Sequence, residues 1–290
     1  MNAEIFFKQL DELFQKNEID KVEPYLLREL EKAREAEDYP GYIVIGNEMI
    51  GFYRSISSYK KAFDIAEDVL LLMEEIQLDT SEHFATTLLN TATAYRAAGE
   101  LESAYRYYLQ ALKIYEELLA EDDYRFAGLY NNMSLLLEQM DKNEGAIELT
   151  EKALSIVRKL EGSEVQQATS LTNLALLYFK LDRAKDASEA LKDALLLFEQ
   201  AGNGDETDAH YSAALAGVGE AYYRMGDYKN ALLSYEKALA EVKKHFGENQ
   251  SYGVLCENCA AVCECLKEEE KAQQYRTKAE EIYQGLKVEQ

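Results

Sequence analysis

FATTLLNTATAYRAAGELESAYRYYLQALKIYEELLAEDD, residues 84–123, decides the fold. In its second half Leu101, Ala104, Tyr108, Ala111, Leu112 and Tyr115 recur at helical spacing and form one apolar stripe. Gly99 interrupts the pattern where a helix must end. The layout returns at residues 211–249 as YSAALAGVGEAYYRMGDYKNALLSYEKALAEVKKHFGEN. Working outward, alanines seven residues apart mark the same place again and again: Ala104/Ala111, Ala146/Ala153, Ala187/Ala194, Ala231/Ala238 and Ala272/Ala279, with a looser copy at Ala62/Val69. The first members of these pairs lie 42, 42, 41, 44 and 41 residues apart. A sustained period of this length is the mark of a repeat array, in which each unit buries its apolar face against its neighbours.

Equivalent positions fall at Val22, Ala62, Ala104, Ala146, Ala187, Ala231 and Ala272, which gives seven repeats of about 1–38, 39–83, 84–123, 124–164, 165–208, 209–250 and 251–290 in a single domain, 1–290. Each reads as a first helix, a short turn and a longer second helix, about fourteen helices in all. Gly99, Asp141-Lys142-Asn143, Asp182-Arg183 and Gly226-Asp227 mark turns. No window alternates with period two, so the fold class is all-α. Alanine at the beat has a physical reason: closely packed helices need a small side chain where their axes approach, and alanine has the best helix propensity.

Composition narrows the function. The 290-residue chain has 47% apolar and 29% charged residues and only two prolines, which favours a packed core over disorder. Its net charge of −23 speaks against nucleic acid, whose binders cluster Lys and Arg, and against anionic membrane surfaces. No apolar run is long enough for a membrane span, and Met1–Leu10 lacks the pattern of a signal peptide. All four cysteines lie between Cys256 and Cys265, unlike a spread disulfide framework, which points to a reducing cytoplasm. The acidic stretch 201–208, AGNGDETD, does not match the spacing of a twelve-residue calcium loop and reads as a solvated connection.

The residues resemble the tetratricopeptide repeats, whose pattern sets a Leu-Gly or Leu-Ala step before a tyrosine and then the alanine pair. The matches are Leu174-Ala175 with Tyr178, Val218-Gly219 with Tyr222, Ala92 with Tyr95, and Tyr53 in the second repeat. The long period and the stretches Leu129–Ser134 and Leu171–Ala175 are most similar to the repeats of kinesin light chains and related bacterial proteins. Cys263 replaces the tyrosine in the seventh repeat, and Val22 and Glu29 replace both alanines in the first. The resemblance implies a right-handed superhelical α-solenoid, with the first helices lining a concave groove.

That implication turns the register into a candidate site. Fourteen residues before each anchoring position the chain reads Lys8, Glu48, Asn90, Asn132, Asn173, Gly217 and Asn258, with Asn47 and Asn131 adjacent. Asparagine is a mediocre helix former, and its amide can both donate to and accept from a peptide backbone. By resemblance, asparagines on this rung hold ligand main chain; the alternative is that they bond to neighbouring helices and set repeat packing. The rest of the lining reads Thr86, Thr93 and Arg96 with Leu89, then Gly128, Leu135 and Glu138, then Thr169, Thr172, Leu176 and Phe179 with Lys180, then Ala213, Ala216, Glu220, Tyr223 and Arg224. The three small residues at 213–217 suggest either a pocket or tight helix packing. Lys and Arg are absent from the ladder rung itself in the third to sixth repeats, which disfavours a clamp for a chaperone's C-terminal carboxylate.

Cys256, Cys259 and Cys263 share one helical face, a spacing that raises zinc or redox chemistry. The same register aligns them with Leu171, Leu174 and the tyrosine, all core sites, which favours packing. His83, His210 and His245 are scattered without a triad pattern, and neither a phosphate loop nor HExxH occurs. The expectation is a non-enzymatic, cofactor-free, metal-free cytoplasmic module, of bacterial type, whose partner is a protein or an extended peptide. Two alternatives stand beside it. One is a peptide-sensing domain resembling bacterial pheromone receptors but without a DNA-binding unit; the other is self-association through residues 251–290 into a homo-oligomer.

Overall fold

The computed structural model describes residues 2–16, 18–201 and 209–288. Among them are fourteen α-helices and no strand. They group into two compact units, Met1–Met140 and Asp141–Gln290. The first unit holds α1 (Ala3–Gln15), α2 (Ile19–Glu35), α3 (Tyr39–Ser55), α4 (Tyr59–Glu75), α5 (Glu82–Ala97), α6 (Leu101–Leu118) and α7 (Tyr124–Gln139). The second holds α8 (Asn143–Val157), α9 (Glu164–Lys180), α10 (Ala184–Gln200), α11 (Ala209–Arg224), α12 (Tyr228–Phe246), α13 (Gln250–Cys265) and α14 (Glu269–Val288). In each unit a first helix packs on the second helix of its own repeat, as α3 on α4, α5 on α6, α9 on α10 and α11 on α12. First helices also touch one another directly, α3 with α5 and α5 with α7 in one unit, α9 with α11 in the other.

The turn inside a repeat has one construction, five residues before the anchoring alanine. Ser57, Gly99, Asp141, Asp182, Gly226 and Lys267 all adopt the left-handed backbone there, with φ between 55° and 82°. Glycine at 99 and 226 meets no steric penalty, whereas the other four depart from the usual αR or β wells. The turn closes because the carbonyl at the tyrosine position accepts from the residue after the left-handed one: Ser58 N to Tyr53 O at 2.8 Å, Glu100 N to Tyr95 O at 2.9 Å and Asp227 N to Tyr222 O at 2.9 Å. This six-to-one bond satisfies a helix-end carbonyl that would otherwise be unpaired.

The beat is the core. Ala62, Ala104, Ala111, Ala146, Ala153, Ala187, Ala194, Ala231 and Ala238 have no exposed surface, and Val22 is equally buried in the first repeat. Small residues on the facing helix complete the contact. A Cβ added to Gly219 would stand 2.7 Å from the ring of Tyr235, which is itself 2% exposed. Gly217 lies against Leu191 in the same way, so within the Ala213–Gly217 stretch this glycine serves helix packing. Residues 202–208, the expected acidic connection, lie outside the described residues.

Candidate functional site

The first helices carry little of the chain's acidity. Between α3 and α11 each first helix has a single acidic residue (Glu48, Glu82, Glu138, Glu164 and Glu220), while α2 and α4 have five apiece. Most of the rest lies on second helices and connections, apart from Glu4, Asp11 and Glu12 on α1 and Glu257 and Glu264 on α13. The surface of the first helices is therefore polar and mostly uncharged, built from threonine, asparagine and small residues.

The asparagine ladder divides by position. Asn90 Nδ2 donates to Asn47 Oδ1 at 2.7 Å, and Asn47 Nδ2 donates to the carbonyl of Ile43 at 2.9 Å and to Thr87 Oγ1 at 3.0 Å. Here the amides join α3 to α5. One Asn90 donor and the Asn47 amide are thus engaged between helices, the packing role that stood beside ligand binding in the sequence. Asn132 differs: its Nδ2 donates only to Gly128 O of its own helix, 2.9 Å away. The neighbouring Asn131 has its Oδ1 buried and unbonded. Asn173 is half-buried on α9.

Threonines of α5 are held by their own helix and by the partner behind it. Thr93 Oγ1 donates to Leu89 O at 2.9 Å and lies 3.0 Å from the Tyr108 hydroxyl; Thr86 Oγ1 donates to Glu82 O at 3.0 Å, with the Tyr115 hydroxyl 3.5 Å away. In α9, Leu176 is 48% exposed and Lys180 is exposed, but Thr172 is 3% exposed with its hydroxyl on Ala168 O. Thr172 is removed from the candidate surface, and so is Phe179, which is also buried. Phe179 packs in a cluster with residues of α10 and α11, and Thr172 lies seven residues before it on the same face of α9.

The basic residues at the ends of the first helices show two different environments. Arg224, in the last turn of α11, reaches back to α9. Its Nη1 donates to Phe179 O at 2.7 Å, its Nε to Glu220 Oε1 at 2.6 Å, and its guanidinium lies 5.0 Å from the Phe179 ring centroid. Asp182 approaches it at 3.8 Å. Glu220 also accepts from the Tyr235 hydroxyl at 3.0 Å; burial, then the Glu220 charge, pushes that phenol far above its ordinary range. Tyr223 beside it is half-buried, raised chiefly by the Cys265 thiol. In the first unit, Arg96 in the last turn of α5 is half-buried and its Nε is shut off from solvent with no acceptor. An unsatisfied buried donor of this kind costs a fold roughly 1–3 kcal/mol.

Cysteine behaves as the register predicts. Cys256, Cys259 and Cys263 are buried in one cluster with Ala231, Tyr235, Leu239 and Val242, and only Cys265 is exposed. Burial pushes the Cys256 thiol up to about 11 and raises Cys259 and Cys263 as well, so all three stay protonated, a poor state for metal ligation or nucleophilic work. His83 is exposed, and the side chains of His210 and His245 lie outside the described residues.

Sequence reading missed three features. It took Asn47 as a neighbour of the ladder, not as the partner of Asn90. It missed Arg54, which stands eight residues before Ala62 as Arg96 stands eight before Ala104; the beat itself carried that signal. It also missed that the signature tyrosines tie repeats together: Tyr53 donates to Glu23 of α2 at 2.9 Å, with Lys61 Nζ 2.6 Å from the same oxygen.

Helix-turn-helix repeats with small residues at a fixed beat, a capping turn common to the repeats and a polar first-helix face define a helical-repeat protein. Within that class the chain belongs to the tetratricopeptide-repeat family, whose models match residues 84–123, 125–200 and 214–250, together just over half of it. Its repeats are similar to those of Protein KINESIN LIGHT CHAIN-RELATED 3 of Arabidopsis thaliana, 27% identical over 165 residues. That match takes in 56% of this chain but 24% of the relative, so the chain spans about a quarter of that protein's length. Among solved structures, BtubC (BKLC) from P. vanneervenii aligns with a TM-score of 0.63 at 23% identity, covering 81% of this chain and 91% of that one. The quorum sensor NprR of B. thuringiensis, solved with its cognate peptide NprX, aligns with a TM-score of 0.59 at 16% identity over 99% of this chain and 82% of that one. At these identities the likeness is one of fold. Among the described residues no helix is long and apolar enough to cross a membrane.

Proposed function

We propose that this chain is a binding module that takes an extended peptide segment of a partner protein against its first helices. The observation that carries the reading is the surface of α5 and α7. It combines low charge with exposed or half-buried hydrogen-bonding side chains, Thr86, Thr93, Asn131 and Asn132, in a chain whose acidity lies elsewhere. Such a face suits backbone recognition, since amides and hydroxyls pair with main-chain groups whatever the side chains. The fold it shares with NprR, a protein solved in complex with its cognate peptide, supports the reading at the level of fold.

The participating residues on this reading are Asn131, Asn132, Thr86 and Thr93 in the first unit; the second unit, by itself, offers Asn173, Leu176 and Lys180 as a surface of the same kind. Asn90, Arg224 and Tyr223 contribute by holding helices in place. A peptide display selection on the full chain, followed by calorimetry on the recovered peptides, tests it. The variant Asn131→Ala/Asn132→Ala/Asn173→Ala should bind about tenfold or more weakly, the loss of one or two hydrogen bonds, with little change in melting midpoint. Equal affinity for both forms would move the binding surface off the first helices.

A further inference from the structure

Two second helices, one in each unit, expose faces of opposite charge. On α4 every exposed residue after Lys61 is acidic or apolar: Asp64, Glu67, Asp68, Leu71, Glu74 and Glu75. Their spacing of three and four residues places them on one stripe of the helix. On α12 no exposed residue among those described is acidic. Its stripe is Lys229, Leu233, Lys237, Ala240 and Lys244, again at helical spacing. Each stripe has one large apolar residue, and Leu71 and Leu233 are both 51% exposed.

These charges are not spent within the chain. Among the described residues, no ion pair or side-chain hydrogen bond engages the five carboxylates of the α4 stripe or Lys229, Lys237 and Lys244. Their neighbours, by contrast, are taken. Lys61 Nζ lies 2.6 Å from Glu23, and Lys243 Nζ lies 2.7 Å from Glu248. Glu236 accepts from Lys271 Nζ and from the Tyr275 hydroxyl, each at 2.8 Å. Other second helices mix their signs: α6 exposes Glu102, Arg106, Lys113 and Glu117, and α10 exposes Lys185, Glu189, Lys192 and Asp193. A run of like charges three and four residues apart opposes its own helix. In a chain with 54 acidic residues against 31 basic ones, a lysine face free of exposed acids is the rarer of the two.

We infer that the acidic face of α4 in one copy of this chain docks on the lysine face of α12 in a second copy. The register supports the pairing. When Leu71 meets Leu233, Lys229 and Lys237 lie about one turn to either side of the leucine. The carboxylate pairs Glu67/Asp68 and Glu74/Glu75 lie about one turn to either side of Leu71. Each lysine therefore meets two carboxylates whichever way the helices run. One helix laid on another buries less than a standard interface, so the contact is weak and sensitive to salt. Each copy carries both halves, so the contact can be made reciprocally or head to tail. The inference stands apart from the peptide-binding reading, because both stripes lie on second helices and leave the first helices of every copy open. Association then sets several such faces side by side for a partner with more than one docking segment.

Sedimentation velocity on the full chain, from micromolar to millimolar concentration, tests the pairing. Wild type should associate as its concentration rises, and raising salt to about 0.5 M should weaken association about tenfold or more. Glu67→Lys/Asp68→Lys/Glu74→Lys/Glu75→Lys leaves a chain with two basic faces, and Lys229→Glu/Lys237→Glu/Lys244→Glu one with two acidic faces. Each variant alone should stay monomeric, and an equal mixture of the two should associate again. Leu71→Gln/Leu233→Gln reverses no charge and should give a partial loss, which keeps the test open if a reversed chain fails to fold; circular dichroism checks each fold. A wild type that is monomeric throughout overturns the pairing. So does association that survives both reversals, which would lie on another surface such as residues 251–290. Two folded variants that stay monomeric when mixed overturn it as well.

Discussion

At the end of α11, Arg224 gives its donors to a carbonyl of α9 and a carboxylate of its own helix, and its flat face to Phe179. At the end of α5, Arg96 stands one repeat position earlier and its Nε bonds to nothing. The same residue type, in the last turn of the same kind of helix, is a brace in the second unit and an unmet demand in the first. Two local differences produce this. In the second unit the preceding first helix supplies an aromatic ring, Phe179, at the position that Arg54 holds in the first, and Glu220 lies one turn before Arg224. In the first unit that position is Arg54, which offers neither a ring nor an acceptor side chain, and Ala92 and Thr93 lie one turn before Arg96. A repeat array keeps its packing positions constant and is free to vary the rest, so neighbouring units with one core can carry unlike surfaces.

The contrast can be broken at several levels. The largest effect should come from the feature both units share. Ala104→Leu in the first unit and Ala231→Leu in the second should each cost about 1–3 kcal/mol through overpacking, measured by chemical denaturation. An unchanged midpoint in either would mean that the beat does not anchor both units. Next come the arginines. Arg224→Met should destabilise by about 1–2 kcal/mol, because it strips charge-assisted bonds from Phe179 O and Glu220. Arg96→Met should stay within about 0.5 kcal/mol of wild type or gain stability, because it deletes an unsatisfied donor. A cost for Arg96→Met equal to that of Arg224→Met would erase the distinction between brace and open cation.

Asparagines give a finer test inside the first unit. Asn90→Ala removes the bond to Asn47 and should cost about 1 kcal/mol, whereas Asn132→Ala loses only a contact with its own helix and should cost about half that or less. The smallest effect is electrostatic. Arg125 hydrogen-bonds the Asp123 carboxylate and holds it down to about 2, from an ordinary value near 3.8. A carboxylate with a depressed pKa in the fold stabilises it above the unfolded value and loses that contribution as pH falls through the folded one. Asp123→Asn keeps the helix cap and deletes the charge. The melting advantage of wild type over this variant should be full above about pH 4 and shrink toward pH 2. A gap that stays constant across that range would assign no role to the ion pair.

How legible each layer was depended on how local its cause is. The seven pairs of helices, the anchoring alanines and the core cysteines followed from spacing, because helical periodicity and burial are written at i, i+3, i+4 and i+7. The left-handed turn was legible at Gly99 and Gly226, whose residue type allows it, and half-hidden at Ser57 and Lys267, where capping bonds impose it. The candidate surface was legible as a set of rungs but not as a set of partners. Asn90 and Asn132 hold equivalent places in the repeat, and nothing in their own repeats says that one meets Asn47 while the other meets only its own helix. Thr172 lies one position, about 100° of helical rotation, from the half-buried Asn173, and that is enough to bury it.

The sequence by itself determined the repeat, the register and where the acidity lies, since period, small residues and charge are properties of the linear chain. The tertiary structure decided which polar side chains are already satisfied. That depends on atoms brought to within about 3 Å from a neighbouring repeat some forty residues away, as with Asn90 and Asn47 or Arg224 and Phe179.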